Sequence, residues 1–232
     1  MKKMISVATL LIVAFALVSM VAPKKKKSHY FRGTVTYQMT YTSETLTDLQ
    51  KAKLPTSLTV KMYDGMSMYD MAQDGGVLTY LTNPSIDTMF VMIEYGLKKA
   101  AIGVPLSKVN NDSAEAYTTS IEYSEDTKMI AGYLCKKANV TFTPKLGIVA
   151  EEVILPVFYS PELSDSSENS ESLYAGINGF LLESYEVSPE VITKMTVSEV
   201  IKGKLSDLDF LLPSDYKVFK SSEELQKFFE NQ

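Results

Sequence analysis

Between Leu58 and Leu106 the chain repeats one rhythm: a run of five to ten strand-forming residues, then a signal to turn. Asp64-Gly65 separates Leu58–Tyr63 from Met66–Met71. Asp74-Gly75-Gly76 leads into Val77–Leu81, Asn83-Pro84-Ser85 leads into Ile86–Tyr95, and Lys98–Leu106 follows. Asp-Gly is a strong hairpin signal, because the turn that matches the twist of paired strands needs positive φ at both central positions. Runs this short are poor helices, and connections this tight cannot carry a parallel crossover, which takes a dozen or more residues. The pattern therefore predicts an antiparallel meander.

The flanking sequence continues it. Tyr30–Tyr41 alternates, with Phe31, Val35, Tyr37, Met39 and Tyr41 on one face and Arg32, Thr34, Thr36, Gln38 and Thr40 on the other, the period of a half-buried strand. Tyr117–Tyr123 alternates in the same way. Met129–Tyr133 and Leu134–Phe142 bracket a hairpin at Gly132, and Gly147–Phe158, Phe180–Val187 and Ile192–Ile201 read as further strands. A short helix is expected over Thr45–Ala52, stopped by Pro55. A last helix, Glu223–Glu230, is opened by Ser221 or Ser222 with a following glutamate. Leu208–Leu212 is a short apolar segment ended by Pro213. Asp165–Ser172, polar and without periodicity, reads as an exposed loop whose acids lack the spacing of a calcium loop. The expectation is a mainly β protein of ten or eleven strands with one or two short helices. They form a strongly curved antiparallel sheet, an open half-barrel with a concave apolar surface where a ligand or partner binds.

The N-terminus sets the compartment. Lys2 and Lys3, an apolar run from Met4 to Ala22, then Pro23 and Lys24–Lys27 read as a secretory signal peptide (residues 1–22) and a basic spacer (23–28), followed by one domain over 29–232. This places the protein in the periplasm or otherwise outside the cytosol. Membrane association is expected only if the apolar segment is retained. With no cysteine at the end of that run, a lipidated N-terminus is not expected. After Ala22 the chain carries 21 basic against 28 acidic side chains, a net charge of −7. That balance argues against a nucleic-acid partner, whose phosphates need a basic footprint.

Catalytic chemistry is hard to assemble. The chain has one histidine, His29, near the expected mature terminus, and one cysteine, Cys135, so it forms no internal disulfide. One of each is too few for zinc. Cys135 reads as a buried thiol at a strand start. Adjacent Glu151 and Glu152, and Glu183 with Glu186, point to opposite faces of any strand and make no acid pair. No enzyme activity, metal or cofactor is expected. Methionine is the anomaly: Met62, Met66, Met68, Met71, Met89 and Met92 fall within about 30 residues. Thioethers have the chemistry to hold Cu(I), but core filling or an adaptable apolar groove is the better reading. Met62, Met66, Met68, Met89, Phe90 and Met92 are the groove candidates. Met89–Ile93 is apolar on both faces, as befits a strand between a core and a covered groove.

Two segments resemble a known group. Thr127–Ala138 (TKMIAGYLCKKA) resembles the hairpin of the GLPGLI family and the related DUF4412 group, exported proteins of Bacteroidetes. Gly176–Glu183 (GINGFLLE) resembles the motif that names the family, with Asn178 in place of its proline and Phe180 in place of a leucine. The tail, Leu205–Val218 with Pro213 and Tyr216, then Ser222–Leu225, is also similar. The resemblance spans roughly residues 30–225. It implies a curved sheet like that of the periplasmic lipoprotein carriers LolA and LolB, which hold acyl chains in an apolar half-barrel, and it supplies no catalytic or ligand-binding residues. The expected function is a non-enzymatic periplasmic binding or carrier protein for a lipid-like or other apolar ligand. The alternative is an envelope structural or adaptor protein whose concave face binds another protein.

Overall fold

The computed structural model describes residues 30–73, 75–109, 116–164, 169 and 172–230. The signal-like segment 1–22, the spacer 23–28 and His29 lie outside the described residues. Strand β1 (Gly33–Thr42) stands in the middle of a twelve-stranded sheet. On one side follow β2 (Ser57–Tyr63), β3 (Met66–Gln73), β4 (Gly76–Asn83), β5 (Thr88–Tyr95) and β6 (Lys98–Pro105) in chain order, the predicted meander. The β2–β3 turn has positive φ at Asp64 (48°) and Gly65 (82°), as the Asp-Gly pair predicts. On the other side of β1 lie β11 (Ile192–Lys202), β10 (Phe180–Val187), β9 (Val153–Ser160), β8 (Tyr133–Pro144) and β7 (Tyr117–Ile130). A three-residue strand, β12 (Lys217–Phe219), pairs with β6 in parallel and closes the row. The sheet does not join its two edges: it is an open half-barrel.

The helices are short. Helix α1 covers only Asp48–Lys51, capped by Thr47 with Gln50 answering in a capping box, so the stretch expected to be helical over Thr45–Ala52 makes a single turn. Helix α2 (Ser222–Glu230) begins on the Ser221 hydroxyl, which accepts from the Glu224 amide at 3.2 Å. Its Leu225, Phe228 and Phe229 pack against the apolar side of the sheet.

Curvature follows from contacts between strands that are not neighbours. Lys202 of β11 lies 5.0 Å over the ring of Tyr133 in β8, skipping two strands. Flat neighbouring strands are about 4.8 Å apart, so three strand steps span about 14 Å. Only a tight curl brings such side chains together, and it makes their face the concave one. The largest apolar cluster fills that face, running from Val35, Tyr37 and Met39 to Met89 and Ala100 in one direction and Phe180 and Cys135 in the other.

The convex face is covered by two straps. Residues 172–178 cross β7 to β10, where Tyr174 and Ile177 pack on Val140, Phe142, Val157 and Leu181. Residues 205–216 cross β3 to β6, where Phe210 and Tyr216 pack on Met66, Met68, Leu81 and Met92. A strand apolar on both faces, as Met89–Ile93 is, needs such a double cover. Met89, Val91 and Ile93 face the concave cluster, while Phe90 and Met92 face the strap.

Five expectations need correction. Tyr117–Tyr123 and the segment before Gly132 form one 14-residue strand, because a bulge between Ser124 and Thr127 absorbs the charged stretch without ending the pairing. Strand β9 begins at Val153 rather than near Gly147. The sheet has twelve strands rather than ten or eleven, because the three-residue β12 is too short to show a period. Leu208–Leu212, the expected apolar segment before Pro213, falls partly in a 3₁₀ turn, Asp207–Phe210, whose Phe210 is the plug of the second strap. The polar stretch 165–172 is described only at Asn169 and Ser172, and Asn169 is not solvated. It is 2% exposed, and its Nδ2 donates to the carbonyls of Ile177 (2.9 Å) and Gly179 (2.8 Å). Composition hides this, because a single asparagine saturates two carbonyls that no strand pairs. Gly179 itself has φ +155°, and a Cβ there would meet the backbone of Ser160 and Pro161 at 2.8 Å.

Candidate functional site

Antiparallel order brings the start of β1, the end of β2, the end of β9 and the end of β11 to one end of the sheet. There the concave face opens into a pocket of about 440 Å³, lined by Tyr30, Phe31, Arg32, Asp64, Glu162, Leu163 and Lys202. This lies within the range of small-molecule sites, about 300–1,000 Å³. Phe31 and Leu163 are buried members of the concave cluster, so the apolar part of the pocket is continuous with that face. The Phe31 ring lies 5.0 Å from that of Phe180. Gly33 makes this packing feasible: a Cβ there would sit 2.9 Å from the Phe31 ring and 2.2 Å from the Ile201 carbonyl.

The rim is charged. Arg32 pairs with Asp64 at 2.5 Å and lies 5.4 Å above the Tyr63 ring. Lys202 pairs with Glu162 at 3.5 Å. Gly33 pairs with Lys202 across the sheet, and the Gly203 amide donates to the Arg32 carbonyl at 3.1 Å, so the two cations stand at adjoining strand ends. All four charged side chains are about half exposed or more. Ion pairs at such exposure contribute about 0–1 kcal/mol, too little to be needed by the fold.

Three hydroxyls of the concave face have no hydrogen-bond partner among the described residues. The hydroxyls of Tyr80, Ser160 and Ser184 are buried without a hydrogen bond. Tyr80 belongs to the concave cluster, Ser160 pairs with its Phe180 and Ser184 with its Met195, so all three stand on one face. Glu186, opposite Thr193, shares that face, and burial pushes its carboxyl up to about 8. An unsatisfied buried hydroxyl costs about 1–3 kcal/mol, and each of these can serve a polar atom of a bound molecule.

The six predicted groove residues divide between the faces. Met62 and Met89 stand on the concave side, in one cross-strand row: Met89, Thr82, Ser67, Met62, Gly33, Lys202. That row ends at the pocket. Met66, Met68, Phe90 and Met92 lie on the convex side, under Phe210 and Tyr216 of the strap. The strap is tied down by the Tyr216 hydroxyl, which donates to Glu94, and by Lys99, which bridges Glu94 (3.3 Å) and Asp215 (3.0 Å). The chain itself therefore fills the groove at these four residues.

A second charged group sits where β9 and β10 part. Pairing between them ends at Glu183, after a bulge. The buried Glu183 carboxylate accepts from Lys128 of β7 (2.8 Å), Lys194 of β11 (3.0 Å) and the Thr196 hydroxyl (3.3 Å). Burial raises this carboxyl, but the two ammonium groups outweigh it and hold it below its ordinary value. Cys135, close by, is buried and pushed up to about 11 by that burial, which keeps it a thiol at neutral pH. Among the described residues, no three of His, Cys, Asp or Glu converge as a metal site, and no helix is long and apolar enough to cross a membrane.

Sequence reasoning did not single out the rim residues as a site. Their shared signal is a charge at or just beyond a strand end, but only the strand order shows that these four ends meet. In comparisons with known proteins, no family model and no curated protein matches the chain.

Proposed function

We propose that this is a non-enzymatic binding or carrier protein for an apolar, lipid-like ligand, acting in the periplasm or otherwise outside the cytosol. The observation that carries the reading is the pocket whose Phe31 and Leu163 belong to the apolar cluster of the concave face. A ligand entering there keeps its polar end at the charged rim while its apolar part meets Phe31 and Leu163 at the edge of that cluster. The partnerless hydroxyls along the same face fit a site of apolar walls with a few placed polar groups. The signal-like segment 1–22 and the resemblance of residues 127–138 and 176–183 to exported GLPGLI proteins point the same way.

The test is native mass spectrometry of the exported form, purified gently from its own envelope, followed by uptake of a fluorescent fatty acid into delipidated protein. A co-purifying lipid mass and saturable uptake support the proposal. An empty monomer that takes up no probe refutes it and favours the adaptor role.

A further inference from the structure

The rim carries two cations and two anions in a mouth whose floor is apolar. Arg32 and Lys202 come from adjoining strand ends of β1 and β11, while Asp64 and Glu162 approach from the β2–β3 turn and from the segment after β9. The set is neutral, and each charge already has an opposite partner, at 2.5 Å and 3.5 Å. A ligand that binds here must replace those pairs with its own.

Charge balance sorts the ligands that do so. An anionic head takes Arg32 and Lys202 but leaves Asp64 and Glu162 unpaired beside it, where they repel it. A cationic head meets the mirror problem. An uncharged head gains no ionic contact. A head with one anionic and one ammonium group exchanges pair for pair: its anion meets the two cations and its ammonium the two carboxylates. The exchange costs little because the pairs it breaks are solvent-exposed and weak. The new contacts form over the apolar floor of Phe31 and Leu163, where ionic hydrogen bonds are less screened than at the open surface.

Resting on the carrier reading above, we infer that this pocket recognises the head of a zwitterionic amphiphile, one joining a phosphate or carboxylate to an ammonium group. The anionic group sits between Arg32 and Lys202, the ammonium beside Asp64 and Glu162, and the start of the tail lies against Phe31 and Leu163. The same chemistry occurs in small zwitterions without a tail, and the apolar floor selects against them.

The experiment measures calorimetric binding of three amphiphiles with the same C16 acyl chain to the delipidated protein: lysophosphatidylethanolamine (zwitterionic), lysophosphatidylglycerol (anionic) and monoacylglycerol (uncharged). Tailless phosphoethanolamine is the fourth probe. The zwitterion is expected to bind about tenfold more tightly than either of the other amphiphiles, and the tailless compound too weakly to detect. In the R32Q/K202Q and D64N/E162Q variants the affinity ratio of zwitterion to monoacylglycerol falls to about one. Thermal unfolding of both variants verifies that they fold, as the exposure of these side chains leads one to expect. Equal wild-type binding of zwitterion and monoacylglycerol overturns the head-group inference and leaves the carrier reading standing. Tightest binding of the anionic amphiphile, or equal binding of tailless phosphoethanolamine, overturns it as well. Failure of every amphiphile to bind removes the carrier reading itself.

Discussion

Replacing Phe210 by alanine tests whether the strap over β3 to β6 is a structural plug. Phe210 is 1% exposed, belongs to the cluster of Met66, Met68, Leu81 and Met92, and stacks on Tyr63 with ring centroids 6.3 Å apart. A buried aromatic side chain removes about 150–250 Å² from water, worth about 4–6 kcal/mol at 25 cal/mol per Å². Core Phe→Ala changes cost about 3–5 kcal/mol. Two features pull the value toward the lower end. The methionine side chains are flexible enough to lean into the vacated space. The strap also keeps its second anchor, Tyr216 on Glu94 with Lys99 bridging to Asp215. The expected loss is therefore about 3 kcal/mol in urea unfolding, or roughly 6–12 °C in Tm for a domain of this size. Methionine oxidation by dilute peroxide, mapped by peptide mass spectrometry, gives a second readout. Met66, Met68 and Met92 should oxidise faster in the variant, while Met62 and Met89, on the other face, keep their wild-type rates. A loss below about 1 kcal/mol, or equal acceleration at Met62 and Met89, would refute the plug.

Glu183→Ala removes the counter-charge of Lys128 and Lys194, but both ammonium groups are more than a third exposed and stay hydrated, so the change should cost about 1–2 kcal/mol in chemical denaturation. Because the Glu183 carboxyl is held below its ordinary value, its stabilisation is present above the unfolded value and lost as pH falls through the folded one, so acid unfolding of the variant should be less steep. Glu186 behaves in the opposite sense: its folded value is raised from 4.5 to about 8, so the wild type should lose stability as pH rises across that interval. Urea midpoints for Glu186→Gln should vary less between pH 5 and 9 than those of the wild type, and parallel curves would contradict the assignment. Asn169→Ala strands the carbonyls of Ile177 and Gly179 and should cost about 2–4 kcal/mol, read as a lower thermal midpoint.

Much of the architecture is local, and local structure is written in local sequence. The Asp64-Gly65 turn, the alternation of Phe31 to Tyr41 and the uninterrupted apolar run at Met89–Ile93 each mark an element within a few residues of chain. Element ends and minor pieces are less legible. Strand β12 is three residues long, with no period to detect, and α2 packs on both it and β6, the strand it pairs with. The bulge at Ser124–Thr127 reads in sequence as an interruption, since a charged stretch looks the same whether it ends a strand or bends one.

The candidate site divides along the same line. Methionine enrichment drew attention to six residues, and two of them, Met62 and Met89, stand in the row that leads to the pocket. Period two placed Met66 and Met68 together on one face, across from the hairpin arm that carries Met62. It had no means of showing that residues 205–216, more than 130 positions later, lie over them. Arg32, Asp64, Glu162 and Lys202 are unremarkable in sequence, because surface charges at strand ends are common. What the sequence by itself determined is which residues form strands and which side chains share a strand face, since both follow from the geometry of neighbouring peptides. Only the tertiary structure decided which strand ends meet, which face curls inward and which apolar groove the chain fills with its own side chains. Those outcomes rest on pairings between residues as far apart as Gly33 and Lys202, where chain closure and packing, rather than local preference, select the partner.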